Sequence, residues 1–234
     1  MDIQLTIAGK EQTTPLTFSF SKMINAGFVG RDQEEVQRHL QELSQKGIPC
    51  PSQTPVLYPV VCRALTTETS IEVYGRKTSG EVEYILYITN EQEIYVGIGS
   101  DHTDRHLEEF NIPRSKQICP NLSSQQVWPL EDIEAHWDEL TMKSMVTANG
   151  RDILYQEGKL ELILSPRQLM DIVRANISGP LENMVIYSGT VGMLTEGFTF
   201  GERFTATLND PVLDRRLEIS YDIQVLDYLA MEGE

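Results

Sequence analysis

Residues 79–106 read SGEVEYILYITNEQEIYVGIGSDHTDRH and contain two runs rich in Val, Ile and Tyr, which predict two neighbouring strands. In the first run Glu81 and Glu83 are two residues apart, so a strand places both carboxylates on one face, about 7 Å apart along the chain. The second run ends in a glycine-punctuated segment that delivers Asp101 and further polar residues. Such a cluster is typical of a functional site.

The spacing of these acidic residues has two interpretations. An isolated ExE is more often the solvated outer face of an amphipathic strand. If Asp101 meets the two glutamates in the fold, three carboxylates form a hard-oxygen site for Mg²⁺, Mn²⁺ or Ca²⁺. Alternatively His102 and His106, four residues apart, would suit Zn²⁺ if this segment were helical, but Gly97 and Gly99 argue against a helix.

The remaining patterns predict a mainly β protein with few helices. Alternating apolar residues predict a hairpin near the start, and apolar spacing after Asp32 predicts a helix over 32–46 with Asp32 as its cap. Ser165 and Pro166 predict the start of a second helix. Prolines predict an extended, ordered loop over 49–59. The predicted later strands are 70–74, 81–88, 93–98, 140–147, 152–155, 184–188, 204–208 and 217–226.

Composition and charge exclude several classes of protein. The chain has 234 residues, with 19 Lys and Arg against 35 Asp and Glu, and a net charge of −16. This charge opposes nucleic acid and anionic membrane surfaces as partners. The three cysteines form no CxxC pair, and the first residues lack the basic start and the long apolar stretch of a signal peptide. Both observations predict a cytoplasmic protein. The GxSxG, P-loop, GxGxxG, HExxH and EF-hand patterns are absent from the sequence.

Taken in order, GEVE, SDHTDRHLE, SKQICP and the SGT that ends MVIYSGT resemble the fumarylacetoacetase superfamily, in particular a divergent branch of uncharacterised bacterial and fungal proteins. The resemblance covers about residues 70–210. It implies an α+β, mainly β fold, a mixed β-sandwich roll with a few short helices. We expect an N-terminal hairpin and helix subdomain over 1–65 and a catalytic body over 66–234, or one continuous domain.

The resemblance also implies roles for individual residues. The metal ligands would be Glu81, Glu83 and Asp101, holding Mg²⁺ or Mn²⁺, with Ca²⁺ as a further option. Lys116 would be the catalytic lysine, and the substrate-binding residues would be Arg105, Glu108, Gly189 and Thr190. The implied substrate is a dicarbonyl or 2-oxo acid, and the implied assembly is a homodimer.

The sequence departs from the family at its catalytic acid–base pair. Members that cleave or hydrate carbon chains use a His and a Glu before the ExE, and VLYPVVCRALTTETS contains no His. Glu68 could replace the acid, and His102 is the nearest candidate for the base. The leading expectation is hydrolysis of a C–C bond in an acylpyruvate-like compound. The alternatives are an isomerase, cyclase or decarboxylase on the same scaffold, and a binding protein without catalysis.

Overall fold

The structure, a computed structural model, describes residues 1–10, 12–45, 51 and 53–229. The strands, numbered in chain order, are β1 (Asp2–Ala8), β2 (Thr13–Ser19), β3 (Lys22–Gly27), β4 (Val56–Pro59), β5 (Leu65–Thr66), β6 (Ser70–Val73), β7 (Thr78–Ser79), β8 (Val82–Ile88), β9 (Ile94–Asp101), β10 (Thr103–Asp104), β11 (Asn121–Ser123), β12 (Gln126–Pro129), β13 (Thr141–Ala148), β14 (Arg151–Lys159), β15 (Met184–Thr190), β16 (Arg203–Asp210) and β17 (Arg215–Val225). The α-helices are α1 (Gln33–Gln45), α2 (Arg105–Glu108), α3 (Ile112–Ile118), α4 (Leu130–Ile133) and α5 (Pro166–Asn176), and short 3₁₀ helices span Cys62–Ala64, Glu134–Glu139 and Leu160–Leu162.

Within these residues, ten strands form one mixed sheet, and five form a second. The path through the large sheet is β2-β1-β12-β9-β8-β15-β3-β4, with β11 and β5 attached beside β9. The second sheet has the order β14-β13-β16-β17-β6, and β7 pairs with β10. The central strand β8 pairs antiparallel with β9 and β15, whereas β15 pairs parallel with β3. The prediction of a mainly β fold with short helices is confirmed.

The core lies on both faces of β8. On one face, Tyr84 and Leu86 belong to a cluster that includes residues of the second sheet, such as Phe204. On the other face, Ile85 and Tyr87 pack with residues of the N-terminal hairpin. Every residue of β8 is buried, which explains its nearly continuous apolar sequence, since a strand covered on both faces shows no alternation.

Several predicted elements are present. The N-terminal hairpin pairs Leu5 with Leu16, as its alternation predicts. Helix α1 begins after Asp32, whose carboxylate accepts the backbone N–H of Glu35 at 3.0 Å. Helix α5 begins after Ser165 with a capping box. The predicted later strands all occur, with bounds shifted by a few residues.

Other elements differ from the sequence prediction. The sequence patterns did not identify β3, β11 and β12, and the proline-rich segment is partly a strand, β4, rather than a loop throughout. Pro59 is compatible with this position because β4 is the edge strand of the sheet. On the free side of an edge strand, the missing N–H of a proline leaves no carbonyl of a neighbouring strand without a donor. Residues 46–50 and 52 lie outside the described residues.

The N-terminal strands share the large sheet with the central strands. The division at residue 65 stays a prediction. In the described part of the chain, no helix combines the length and apolar character that crossing a membrane requires.

Candidate metal centre

The pairing of β8 with β9 brings the three predicted carboxylates together. Glu83 lies opposite Gly99 in this antiparallel ladder, and the backbone N–H of Asp101 donates to the carbonyl of Glu81 at 3.1 Å. Directly paired residues point to the same face, so all three acidic side chains share one side of the sheet. One carboxylate oxygen from each lies within 4.8 Å of the others. The three carboxylates therefore lie together, as the metal hypothesis requires.

Glycine at position 99 allows the neighbouring strand to come close. A Cβ atom at Gly99 would lie 2.3 Å from the carbonyl oxygen of Leu122 and 2.4 Å from Cδ1 of Ile85. β11, which contains Leu122, therefore approaches β9 at a distance that no side chain at position 99 would permit. Gly99, one of the two glycines that argue against a helix here, is therefore needed for this strand contact.

Glu83 is buried and held by the backbone at the end of β15. Its Oε2 accepts the N–H of Gly189 at 2.8 Å, and Gly189 adopts φ +83°, a conformation that suits glycine. Burial, and next the charge of Asp101, raise the pKa of Glu83 well above its ordinary value, although the Gly189 bond opposes this. A bound cation would offset the electrostatic cost of ionising Glu83, because it attracts the carboxylates and balances their mutual repulsion. The all-oxygen donor set fits a hard divalent cation.

Lys116 forms a buried ion pair with Asp101. It lies in α3, and its ammonium donates to Oδ2 of Asp101, with the lysine side chain 7% and the aspartate 0% exposed. Burial by itself would raise the pKa of Asp101 and lower that of Lys116, but their mutual attraction prevails and shifts both in the opposite directions. Both groups are therefore charged at neutral pH. An ammonium has three N–H donors, so Lys116 retains donors for a ligand.

Arg105 connects the acid cluster to Glu108. Its guanidinium contacts Glu108 at 2.8 Å and Glu81 at 3.4 Å, and its Nε donates to Ser79 at 2.7 Å. The ring of Phe198 covers it at 4.2 Å. Burial alone would lower the pKa of Arg105, but the two glutamates raise it. Arg105 therefore fixes the orientation of Glu81 and keeps positive charge beside the cluster.

Thr190 lies beside the cluster with its hydroxyl already engaged. The hydroxyl donates to the carbonyl of Val82 at 2.7 Å and accepts from Nε2 of Gln156 at 2.6 Å. Gln156 also accepts the backbone N–H of Val82 at 3.0 Å. In this arrangement Thr190 links β15 to β8. Its predicted contact with substrate stays a prediction.

The structure does not bring His102 or Glu68 to the acid cluster. His102 follows Asp101 and therefore points to the opposite face, where its two ring nitrogens contact Tyr221 at 2.9 Å and Thr78 at 3.0 Å. Glu68 is exposed, and among the described residues no contact joins its side chain to the cluster. The zinc alternative loses its premise, because Asp101 ends a strand and the exposed His106 packs on Phe110. The predicted roles of His102 and Glu68 in proton transfer stay predictions that this geometry does not support.

The burial of His102 predicts a specific loss of stability in acid. Burial, and next the charge of Arg105, lower its pKa to about 3, whereas an unfolded chain titrates near 6.5. As the pH falls below about 6.5, the unfolded chain takes up a proton that the folded chain does not, so the free energy of unfolding decreases. Between pH 7 and pH 5 we expect wild type to lose about 2 kcal/mol more than His102→Gln. Denaturant titrations at both pH values measure this, and His106→Gln is the matched control. An equal decrease in wild type and His102→Gln would contradict the prediction.

Three further polar residues near the site were not identified from sequence. Asn25 in β3 lies close enough to Asp101 to lower the pKa of that carboxyl, but outside hydrogen-bonding geometry. Asn121 lies directly opposite Asp101 in the β9–β11 ladder. Both amides are fully buried and have no hydrogen-bond partner among the described residues. Tyr58 in β4 is the third. The available signal was a polar residue within an apolar run, as in MINAGFV.

The chain is similar to one sequence family and to several proteins of solved structure. The sequence profile of a family described as "Protein of unknown function (DUF2848)" matches residues 26–221. Among curated proteins, none matches the chain. Yeast ynq8, a fumarylacetoacetate hydrolase family protein, is 17% identical, with 92% of this chain and 97% of that chain covered and a TM-score of 0.62.

Two enzymes of solved structure share the fold. One is a 2-keto-3-deoxy-D-arabinonate dehydratase complexed with magnesium and 2,5-dioxopentanoate, 11% identical, with 90% of this chain and 76% of that chain covered and a TM-score of 0.62. The other is a 5-carboxymethyl-2-hydroxymuconate delta-isomerase from Mycobacterium smegmatis, 16% identical, with 92% and 83% covered and a TM-score of 0.59. The predicted fold class is confirmed.

Proposed function

This chain belongs to the DUF2848 family and has the fold of the fumarylacetoacetate hydrolase superfamily, and on that premise we propose that it is a divalent-metal-dependent enzyme acting on a 2-oxo acid or dicarbonyl compound. The observation that carries the proposal is the meeting of Glu81, Glu83 and Asp101. Support comes from the dehydratase of the same fold, whose structure contains magnesium and a dioxo acid. Mg²⁺ and Mn²⁺ both fit the oxygen donors.

In the proposed mechanism Glu81, Glu83 and Asp101 would hold the cation, which would supply Lewis-acid stabilisation of the negative charge that develops on the oxo acid. Lys116 supplies a second positive charge from the side of Asp101, with donors free to orient a carboxylate or carbonyl oxygen. Arg105 adds charge and holds Glu81 in place. Gly189 fixes Glu83 through its N–H.

The reaction that we place first is C–C bond hydrolysis of an acylpyruvate-like compound. Hydrolysis requires a base that activates water, and His102, the histidine nearest to Asp101 in sequence, is directed away from the cluster and bonded on both ring nitrogens. A positioned base typically contributes 10²- to 10⁴-fold, so its loss would slow hydrolysis severely. The same observation favours a second candidate, an isomerase or lyase such as a decarboxylase. Those reactions need no activated water.

An assay of substrate classes tests the proposal. We expect turnover of at least one member of a panel of acylpyruvates and 2-oxo acids, dependent on Mg²⁺ or Mn²⁺ and abolished by chelation. Product analysis then separates the reactions, because isomerisation leaves the molecular formula unchanged, hydrolysis adds water and decarboxylation releases CO₂. Binding of these ligands without turnover, with either cation supplied, would identify a binding protein and contradict the proposed catalytic activity. The homodimer and the cytoplasmic location remain predictions.

A further inference from the structure

The N-terminal strands bring a tyrosine to the acid cluster. In the ladder between β3 and β4, Asn25 lies directly opposite Tyr58, so the two side chains point to the same face of the sheet. Asn25 lies beside Asp101. Tyr58 is therefore on the side of the sheet that carries the metal ligands, although about 40 residues separate it from Asp101 in sequence.

Lys116 and Tyr58 are held next to each other. The ammonium of Lys116 lies 5.8 Å from the centroid of the Tyr58 ring. The following residue, Gln117, fixes this arrangement, since its amide donates to the carbonyl of Pro59 at 2.9 Å and accepts the N–H of Val61 at 3.0 Å. Helix α3 is thereby attached to the segment that directly follows Tyr58. The lysine that pairs with Asp101 and the tyrosine thus keep a defined separation.

The hydroxyl of Tyr58 differs from those of the other buried tyrosines. Six of them use their hydroxyl in a hydrogen bond within the protein: Tyr84, Tyr87, Tyr95, Tyr155, Tyr187 and Tyr221. Tyr58 is 8% exposed, yet its hydroxyl has no hydrogen-bond partner in the part of the chain that the structure describes. The oxygen of this hydroxyl is not enclosed by the protein, and because no group of the described residues bonds to it, it is accessible to a ligand.

The charges around this hydroxyl suit an anionic ligand. Burial is the largest influence and raises the pKa of Tyr58, Lys116 lowers it, and Glu108 raises it again. The hydroxyl is therefore a neutral O–H at physiological pH and acts as a hydrogen-bond donor. The strongest influence of a charge on it comes from the ammonium of Lys116, whose partner lies in the acid cluster. A neutral donor beside an ammonium favours a carboxylate oxygen.

We propose that Tyr58 is a substrate-contacting residue whose hydroxyl donates a hydrogen bond to a carboxylate oxygen of the oxo acid held beside Lys116. The inference rests on the proposed function and adds a residue from β4 to the site. It assigns the N-terminal strands a direct part in ligand recognition. The ring of Tyr58 lies beside Lys116 whether or not a ligand is bound, so the proposal assigns ligand recognition to the hydroxyl.

Oxalate binding tests this inference, because oxalate presents two adjacent carboxylates like a planar oxo acid. Tyr58→Phe retains the ring and removes only the hydroxyl. By calorimetric titration with saturating Mg²⁺, we expect oxalate to bind about ten-fold more weakly to Tyr58→Phe than to wild type, the effect of one hydrogen bond to a charged group. Mg²⁺ affinity, titrated separately, should be unchanged. Tyr74→Phe, at an exposed position, is the matched control and should bind oxalate as wild type does.

The possible outcomes separate the two proposals. Equal oxalate affinity in wild type and Tyr58→Phe would overturn the role of Tyr58 and leave the proposed function intact. An equal loss of Mg²⁺ and oxalate affinity in Tyr58→Phe would also overturn it, since the hydroxyl would then act on the metal centre. A wild-type protein that binds Mg²⁺ but not oxalate would refute both proposals.

Discussion

Replacing Glu83 by glutamine is expected to weaken Mg²⁺ and Mn²⁺ binding by at least about 100-fold. Mutation of groups that merely orient metal ligands typically costs 10- to 100-fold, so removal of a ligand charge should reach the upper end of that range or exceed it. Calorimetric titration with Mg²⁺, and electron paramagnetic resonance of free Mn²⁺, measure the change. Asp101→Asn should behave alike.

The same variant is expected to fold. Glutamine retains an oxygen for the N–H of Gly189, and it removes a carboxylate whose pKa is raised by burial and by the charge of Asp101. A raised pKa of an acid means that its ionised form destabilises the fold, so the metal-free variant should be at least as stable as wild type at pH 8. Glu72→Gln, at an exposed strand position, is the matched control. Unchanged metal affinity in both Glu83→Gln and Asp101→Asn would remove the metal proposal.

Replacing Lys116 by methionine is expected to destabilise the metal-free protein by about 3–5 kcal/mol at neutral pH, because it leaves the buried carboxylate of Asp101 unpaired. The pKa of Lys116 is raised above its ordinary value, so its contribution is fully present below about pH 10 and is lost only at higher pH. Denaturant titration without metal measures the difference. Lys143→Met, at a partly exposed strand position, should change stability by no more than about 0.5 kcal/mol.

Added metal distinguishes this role from simple packing. A cation at the acid cluster would supply positive charge beside Asp101, so saturating Mg²⁺ should recover part of the loss in Lys116→Met. If Lys116→Met were as stable as Lys143→Met, the ion pair would not be a determinant of stability. If the loss persisted in full with Mg²⁺, it would not arise from uncompensated charge at the cluster.

Local patterns predicted much of the fold. Alternating or continuous apolar runs identified the N-terminal hairpin and the central strands, and capping residues located α1 and α5. These features depend on neighbouring residues only. The patterns missed β3, whose sequence KMINAG has little alternation because its central residues are buried on both faces. They also missed the short strands β11 and β12, which have three and four residues.

In the candidate site, too, some features follow from the local sequence and others depend on tertiary contacts. The two-residue spacing of Glu81 and Glu83 requires a shared face in any strand, whatever that strand pairs with. The position of His102 on the opposite face follows from the same alternation once β9 continues to Asp101. Its bonds with Tyr221 and Thr78, however, involve residues 119 and 24 positions away in sequence.

The sequence by itself determined that the chain is mainly β, that Glu81 and Glu83 share a face, and that its ordered motifs resemble one superfamily. Only the tertiary structure decided that Asp101 joins them through the β8–β9 register, that Lys116 pairs with Asp101, and that Asn25 and Tyr58 lie on the same side. The reason is physical. Side-chain direction within a strand is fixed by local backbone geometry, whereas strand partners and register depend on the packing of the whole core.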